Sequence, residues 1–211
     1  MDDSLIKKDE VLKTAEIFVK SGIKIFQYRA KNTSVEDILS ISYSLSKLAQ
    51  NYQVKLIIND YVEIALKVRA AGVHLGQNDI TLKEARRILG QNRIVGISTH
   101  TLGEARIAQA EGSDYISIGP IFKTHTKKDT YLIRGTKFLK KIVSNVNLPV
   151  IAIGGINKKN INRVLKSGAD GVALISEIYK SPDLLSNLLV LMKLAKRIKE
   201  EINKDDSNRE S

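Results

Sequence analysis

Pro149-Val-Ile-Ala-Ile-Gly-Gly-Ile156, followed by Gly168-Ala-Asp-Gly-Val-Ala-Leu-Ile-Ser176, decides how this chain folds. Each stretch is a short apolar run that ends in small or polar residues, the pattern of a parallel strand buried on both faces. The segment between them, 157–167, has the length of a helix. Gly154-Gly155 ends the first run with backbone that an anion can approach closely. Two consecutive strands whose C-terminal loops offer backbone donors side by side make the phosphate site that follows strands 7 and 8 of a (β/α)8 barrel. A phosphorylated small molecule is therefore the first expected ligand.

Working outward, strands are expected at 23–28, 54–58, 72–75, 93–97, 114–119, 148–153 and 171–175. Helices are expected between them, with another at Val11–Lys20 before the first strand and a long amphipathic one from Pro182-Asp183 to about Ile202. Ser34 ahead of Glu36-Asp37 marks a helix start by N-cap and first-turn charge. Strands alternating with helices, without a Pro/Gly/Ser-rich linker, give an α/β fold in one domain over 1–202, with 203–211 a disordered tail. The expected architecture is a TIM (β/α)8-type barrel whose first strand is missing from this chain. Either Met1-Asp2-Asp3 is the end of a strand whose upstream residues are absent from this chain, or something else covers the gap; the sequence leaves both open. Such a sheet leaves two edges to be covered.

The 211 residues are 43% hydrophobic, enough for one sizeable core. With no cysteine, disulfides and thiolate metal sites are excluded. No apolar run reaches the roughly 20 residues of a membrane span, and the charged N-terminus lacks a signal-peptide core. A cytoplasmic protein without a membrane partner is expected. The net charge of +11 admits nucleic-acid binding, but aromatic content is only 5% and no basic–aromatic interleaving occurs. Solvated lysine faces and a basic cleft for phosphates account for the charge better, so no nucleic-acid partner is expected. Self-association into a homo-oligomer is left open.

In this architecture the active site is built from loops at the C-terminal ends of the strands. The first such end reads Gln27-Tyr-Arg29-Ala-Lys31, and alternation puts Gln27, Arg29 and Lys31 on one side. A planar guanidinium fork and a mobile ammonium suit a diphosphate. The next two ends supply Asn59-Asp60 and Gly76-Gln77-Asn78-Asp79. Each Asp precedes a helix and by itself reads as an N-cap. Facing Arg29 and Lys31 across one mouth, the two carboxylates read instead as hard-oxygen ligands for Mg2+ shared with substrate phosphates. Gly96-Ile-Ser98-Thr-His100-Thr101 follows, where Ser98 either donates to a heterocycle or caps the next helix. Thr101 and Glu104 have capping-box spacing, His100 reads as structural, and His74 as core-lining. The long connection after Gly119, carrying Thr124, His125, Thr126 and Lys127, reads as a binding loop or lid over an anionic ligand.

Taken in order, these segments resemble the thiamine-phosphate synthase (thiamine-phosphate pyrophosphorylase) family. The resemblance runs from about Ile23 to Ile178. It rests on Gln27-Tyr-Arg-Ala-Lys31, Asn59-Asp60, Gly72-Val-His-Leu-Gly-Gln-Asn-Asp79, Gly96-Ile-Ser-Thr-His-Thr101, Asp114-Tyr-Ile-Ser-Ile-Gly-Pro-Ile-Phe122, Thr124-His-Thr-Lys127, Ile153-Gly-Gly-Ile156 and Gly168-Ala-Asp-Gly171. It implies an enzyme, a transferase that condenses a hydroxymethylpyrimidine diphosphate with a thiazole phosphate. It further implies that Gln27, Arg29, Lys31, Asn59 and Lys127 hold the pyrimidine diphosphate, and that Asp60 and Asp79 ligate Mg2+. By the same resemblance Ser98 contacts the pyrimidine, Thr124 and Thr126 the thiazole, and Gly155, Ile175 and Ser176 its phosphate. Tyr28, Ala30 and His125 join the substrate-contacting set, and Arg29, Lys31, Ser98 and Lys127 carry the reaction. This chain has Ala30 where the family usually has Glu, Ala71 where it has Asp, and Lys123 where it has Pro. A sister group of thiazole tautomerases shares the fold and is the alternative reading; a basic, non-enzymatic binding domain is the remote one.

Overall fold

The computed structural model describes residues 1–124 and 132–207. Seven parallel strands form one curled sheet in sequence order: β1 (Ile25–Tyr28), β2 (Lys55–Asn59), β3 (Gly72–Leu75), β4 (Ile94–Thr99), β5 (Tyr115–Ile118), β6 (Val150–Ile153) and β7 (Gly171–Ala173). Among the described residues eight α-helices surround it: α1 (Val11–Lys20), α2 (Val35–Asn51), α3 (Val62–Lys67), α4 (Leu82–Leu89), α5 (Leu102–Ala110), α6 (Gly135–Val143), α7 (Ile161–Leu165) and α8 (Leu184–Ser207). The α/β barrel architecture is the one expected. Helix α8 runs to Ser207, past the end expected at Ile202. Residues 208–211 of the expected tail lie outside those described.

The helices start where side chains replace missing backbone partners. Ser34 accepts from the Asp37 N–H at the start of α2. Thr81 and Glu84 form a reciprocal capping box on α4, and Thr101 accepts from the Glu104 N–H on α5. Asp60 and Asp79 cap nothing: the N-cap of α3 is Tyr61 and that of α4 is Thr81. Both carboxylates are thus released from the alternative structural duty.

Side chains alternate between two environments along each strand. Phe26, Tyr28 and Ala30, with Leu56, Ile58, Val73, Leu75, Val95 and Ile116, are buried in the apolar layer between sheet and helices. The opposite face lines the barrel lumen. There the parallel register sets His74, Gly96 and Tyr115 in one row across β3, β4 and β5, and Ser98 beside Ser117 in the next row toward the mouth.

No complete strand precedes β1 among the described residues. Met1-Asp2-Asp3 instead lies beside the C-terminal end of β1, with Asp2 in a parallel bridge to Arg29. The Arg29 N–H donates to the Met1 carbonyl at 2.9 Å and the Asp3 N–H to the Arg29 carbonyl at 3.1 Å. Only the mouth end of the gap between β7 and β1 is paired in this way. Ile25, on the lumen side of β1, is accordingly 48% exposed. The helix layer does close: α8 packs on α7 and on α1, and α1 packs on α2. Leu188, Leu191 and Ile198 bury the inner face of α8.

Candidate active site

The mouth of the barrel divides into a charged half over β1–β3 and a neutral half over β4–β7. In the charged half the strand ends bring together the expected residues. The Gln27 amide donates to Asn59 Oδ1 at 2.8 Å. Lys31 Nζ forms an ion pair with Asp60 Oδ2, and this hydrogen bond raises the Lys31 ammonium above its ordinary range. Asp60 sits in the left-handed region, φ 66°, just after β2, with its N–H donated to the His74 carbonyl at 2.9 Å. That strained backbone holds the carboxylate over the mouth. Asp79 Oδ2 accepts from the Gly76 N–H at 2.6 Å, which folds the loop after β3 back on itself. Burial pushes the Asp79 carboxyl above the usual carboxylate range; the Gly76 N–H opposes the rise, and the adjoining Asp60 carboxyl adds to it.

Two like-charged carboxylates held together, with one lysine already drawn onto them, form a set of hard oxygen donors short of positive charge. That donor chemistry fits a divalent cation of the Mg2+ class, which keeps several waters and takes phosphate oxygens as its remaining ligands. Among the described residues no cluster of three or more His, Cys, Asp or Glu forms a self-sufficient metal cage.

Arg29 is on the expected side but is engaged: its Nη1 donates to Asp2 Oδ2 at 2.8 Å. Asp2 is 2% exposed and also accepts from Ser4. Burial alone raises the Asp2 carboxyl, but the Ser4 hydrogen bonds and the Arg29 guanidinium outweigh it and hold it below the usual range. Sequence reasoning did not find Asp2, because its partner lies across a gap that only the tertiary fold defines.

Two members of the expected substrate-contacting set, Tyr28 and Ala30, have side chains on the other face of the strand from Gln27 and Arg29. The side chains of Tyr28 and Ala30 are 2% and 3% exposed and belong to the core under the helices, facing away from the mouth. Burial pushes the Tyr28 phenol up to about 12. Strand alternation, which places them opposite Gln27 and Arg29, already carried this signal.

The neutral half is an open cleft. Ser98, His100, Ser117, Thr124, Gly155, Ile175 and Ser176 are among its lining residues. Ser98, Thr124, Gly155, Ile175 and Ser176 thus line one cleft. His125, Thr126 and Lys127 lie outside the described residues. Ser98 does not cap α5; its hydroxyl is 2.8 Å from His74 Nε2. His100 meets Glu104, whose carboxylate accepts the His100 N–H at 2.6 Å.

Gly155 also has a structural role. It has φ 64°, and a Cβ there would lie 2.4 Å from the Lys123 carbonyl oxygen. Its lack of a side chain lets the segment after β5 cross the end of β6, where the Phe122 N–H donates to the Gly154 carbonyl at 3.0 Å. The glycine shapes the cleft wall first. Access for an anion is a by-product of that shape.

The family model for thiamine monophosphate synthase matches residues 1–178. The chain belongs to the thiamine monophosphate synthase family. It is 36% identical over 196 residues to the thiamine-phosphate synthase of Clostridium acetobutylicum, covering 93% of this chain and 92% of that one. It is 42% identical over 166 residues to the enzyme of the same name from Halalkalibacterium halodurans, covering 79% of each chain. Among solved structures, thiamine phosphate pyrophosphorylase from Pyrococcus furiosus superimposes with a TM-score of 0.85 at 34% identity, over 93% of this chain and 94% of that one. The family is one of transferases, and the family activity, thiamine-phosphate synthesis, is the activity of this chain. No helix among the described residues is long and apolar enough to cross a membrane.

Proposed function

We propose that this chain makes thiamine phosphate by dissociative loss of diphosphate from a hydroxymethylpyrimidine diphosphate, followed by capture of the resulting cation by a thiazole phosphate. The observation that carries this reading is the Lys31–Asp60–Asp79 cluster at the ends of β1, β2 and β3, beside a cleft walled by hydroxyls and glycine backbone. The C–O bond between the pyrimidine methylene and the diphosphate breaks, and its electron pair leaves with the diphosphate. The exocyclic amino group of the ring spreads the positive charge left on the methylene. The thiazole nitrogen donates its lone pair to that carbon and forms the new C–N bond. No protein nucleophile is required.

Asp60 and Asp79 would hold Mg2+, which when bound supplies charge neutralisation for the leaving group. Lys31 and Arg29 place further positive charge on the same side of the mouth. For Lys31 to meet diphosphate, its pairing with Asp60 must loosen. Ser98, on the border between the two halves, meets the pyrimidine ring. The neutral cleft over β4–β7 takes the thiazole phosphate through Thr124, Ser176 and the backbone near Gly155. Positioning two substrates and excluding water from the cation supply the rest of the rate.

The test is to supply both substrates with Mg2+ and measure thiamine phosphate and diphosphate. Equimolar appearance of both is expected, and Asp79→Ala should shift the Mg2+ titration to higher concentration while leaving the fold intact. Tautomer conversion of the thiazole without coupling would favour the sister-group reading. An unchanged magnesium titration would remove Asp79 from the metal site.

A further inference from the structure

The lumen row beneath Ser98 is built to a purpose that the substrate contacts do not explain. Tyr115 reaches from β5 across β4 to His74 on β3, a span that is open only because Gly96 lies between them. A Cβ at Gly96 would sit 2.0 Å from the Tyr115 ring. The Tyr115 and His74 rings stack with centroids 5.4 Å apart. The phenol oxygen is 2.9 Å from His74 Nδ1, and Ser98 Oγ is 2.8 Å from Nε2. Ser117 Oγ approaches the same Nε2 at 3.3 Å and Ser98 Oγ at 3.4 Å.

A neutral imidazole has one N–H and one bare nitrogen, so this chain of contacts has a direction. Two hydroxyls, Ser98 and Ser117, converge on Nε2. A bare Nε2 would offer them a single lone pair, whereas a protonated Nε2 donates to Ser98 Oγ and leaves Ser117 free to donate to the same oxygen. The phenol, the stronger donor of the pair, then gives its proton to a bare Nδ1. Every contact is satisfied in that arrangement. We infer that Tyr115 and His74 are positioning residues that fix the Ser98 hydroxyl as a hydrogen-bond donor into the cleft, and so select a ligand presenting an acceptor, such as a heterocyclic ring nitrogen, at that point.

With both its acceptor sites filled from below, the Ser98 oxygen has only its proton to offer a ligand. The relay acts through Ser98. It deepens the proposed reaction and rests on that reading for its kinetic test, while its tautomer test stands without it.

The first measurement is the side-chain 15N spectrum of the histidine-labelled protein, with the His74 signals assigned as those lost in His74→Gln. An Nε2–H imidazole with bare Nδ1 is expected; an Nδ1–H imidazole overturns the inference whatever the enzyme does. The second is a double-mutant cycle on kcat/KM for the pyrimidine diphosphate. Ser98→Ala and Tyr115→Phe should each lower it about tenfold, the size of one ordinary hydrogen bond. Tyr115→Phe should then cost nothing further in the Ser98→Ala background. Losses that multiply to about a hundredfold would mean that Tyr115 acts otherwise than through Ser98, and would also overturn it. Should Tyr115→Phe fail to fold, the wild-type tautomer alone decides.

Discussion

Substituting Gly96 by Ala should be among the costliest single-methyl additions in this barrel. The position does not need glycine for its backbone, since its φ is not among the positive ones. What it needs is space. An added Cβ would lie 2.0 Å from Tyr115 Cζ and 2.2 Å from Cε1, far inside van der Waals contact. The ring is pinned between neighbouring strands, so it can escape only by swinging away from His74. Overpacking of this kind costs about 1–3 kcal/mol. Losing the phenol leaves His74 Nδ1 without its partner, for about 1–3 kcal/mol more. Replacing glycine at a compatible backbone position returns about 0.4–1 kcal/mol through the unfolded chain. The net is a destabilisation of about 3 kcal/mol, which for a chain of this size lowers Tm by about 6–12 °C. Thermal unfolding followed by circular dichroism measures it directly. The same substitution in a Tyr115→Leu background, where the ring is gone, should cost under about 1 kcal/mol. A Gly96→Ala protein melting within about 2 °C of wild type would refute the reasoning. So would an equal loss in both backgrounds.

Two further outcomes follow from the site. Because burial and Asp60 raise the folded-state pKa of Asp79, the unfolded chain releases that proton first as pH rises, and stability falls through the window above pH 3.8. With chelator present, Asp79→Asn should therefore be more stable than wild type at neutral pH. Urea titrations should show that advantage shrinking as pH is lowered toward the ordinary carboxylate range; an advantage that grows on acidification would reverse the assignment. At Gly155, the left-handed backbone and the 2.4 Å approach to the Lys123 carbonyl make Gly155→Ala cost about 2–4 kcal/mol. Hydrogen exchange should speed up at Ile121 and Phe122, whose N–H groups bond to Ile153 and Gly154; unchanged protection there would show that the segment tolerates the side chain.

The fold was legible because each strand carries its own evidence. Val150-Ile-Ala-Ile153 and Gly171-Val-Ala173 are short apolar runs that no other element explains, and the Ser34, Thr81 and Thr101 caps mark the helix starts within a residue. Along the mouth, Gln27, Lys31, Asn59, Asp60 and Asp79 were readable because every strand end of this architecture points the same way. What stayed hidden was lateral. Nothing in the sequence says that Gly96 faces Tyr115, since register between strands separated by a helix is set only when the sheet assembles. Asp2 was equally invisible, as its contact with Arg29 joins residues on opposite sides of a helix. Whether Asp60 and Asp79 cap helices was decided by backbone alone: Tyr61 and Thr81 occupy the cap positions instead.

The division of the mouth into a charged and a neutral half follows from the chemistry of the proposed reaction. A cation forming at the pyrimidine methylene would be quenched by a nearby carboxylate, so acidic groups must be neutralised before the bond breaks. Asp60 and Asp79 meet that condition only when a cation or Lys31 balances them, which places the departing diphosphate and its counter-charges on the β1–β3 side. The attacking thiazole must arrive from the opposite side with its nitrogen unprotonated. A wall of hydroxyls and backbone over β4–β7 suits this, since among the described residues no carboxylate or lysine lines it. Ser98 stands on the boundary, at the C-terminal end of β4, and a hydroxyl fixed as donor there orients the ring without introducing charge at the point where charge develops.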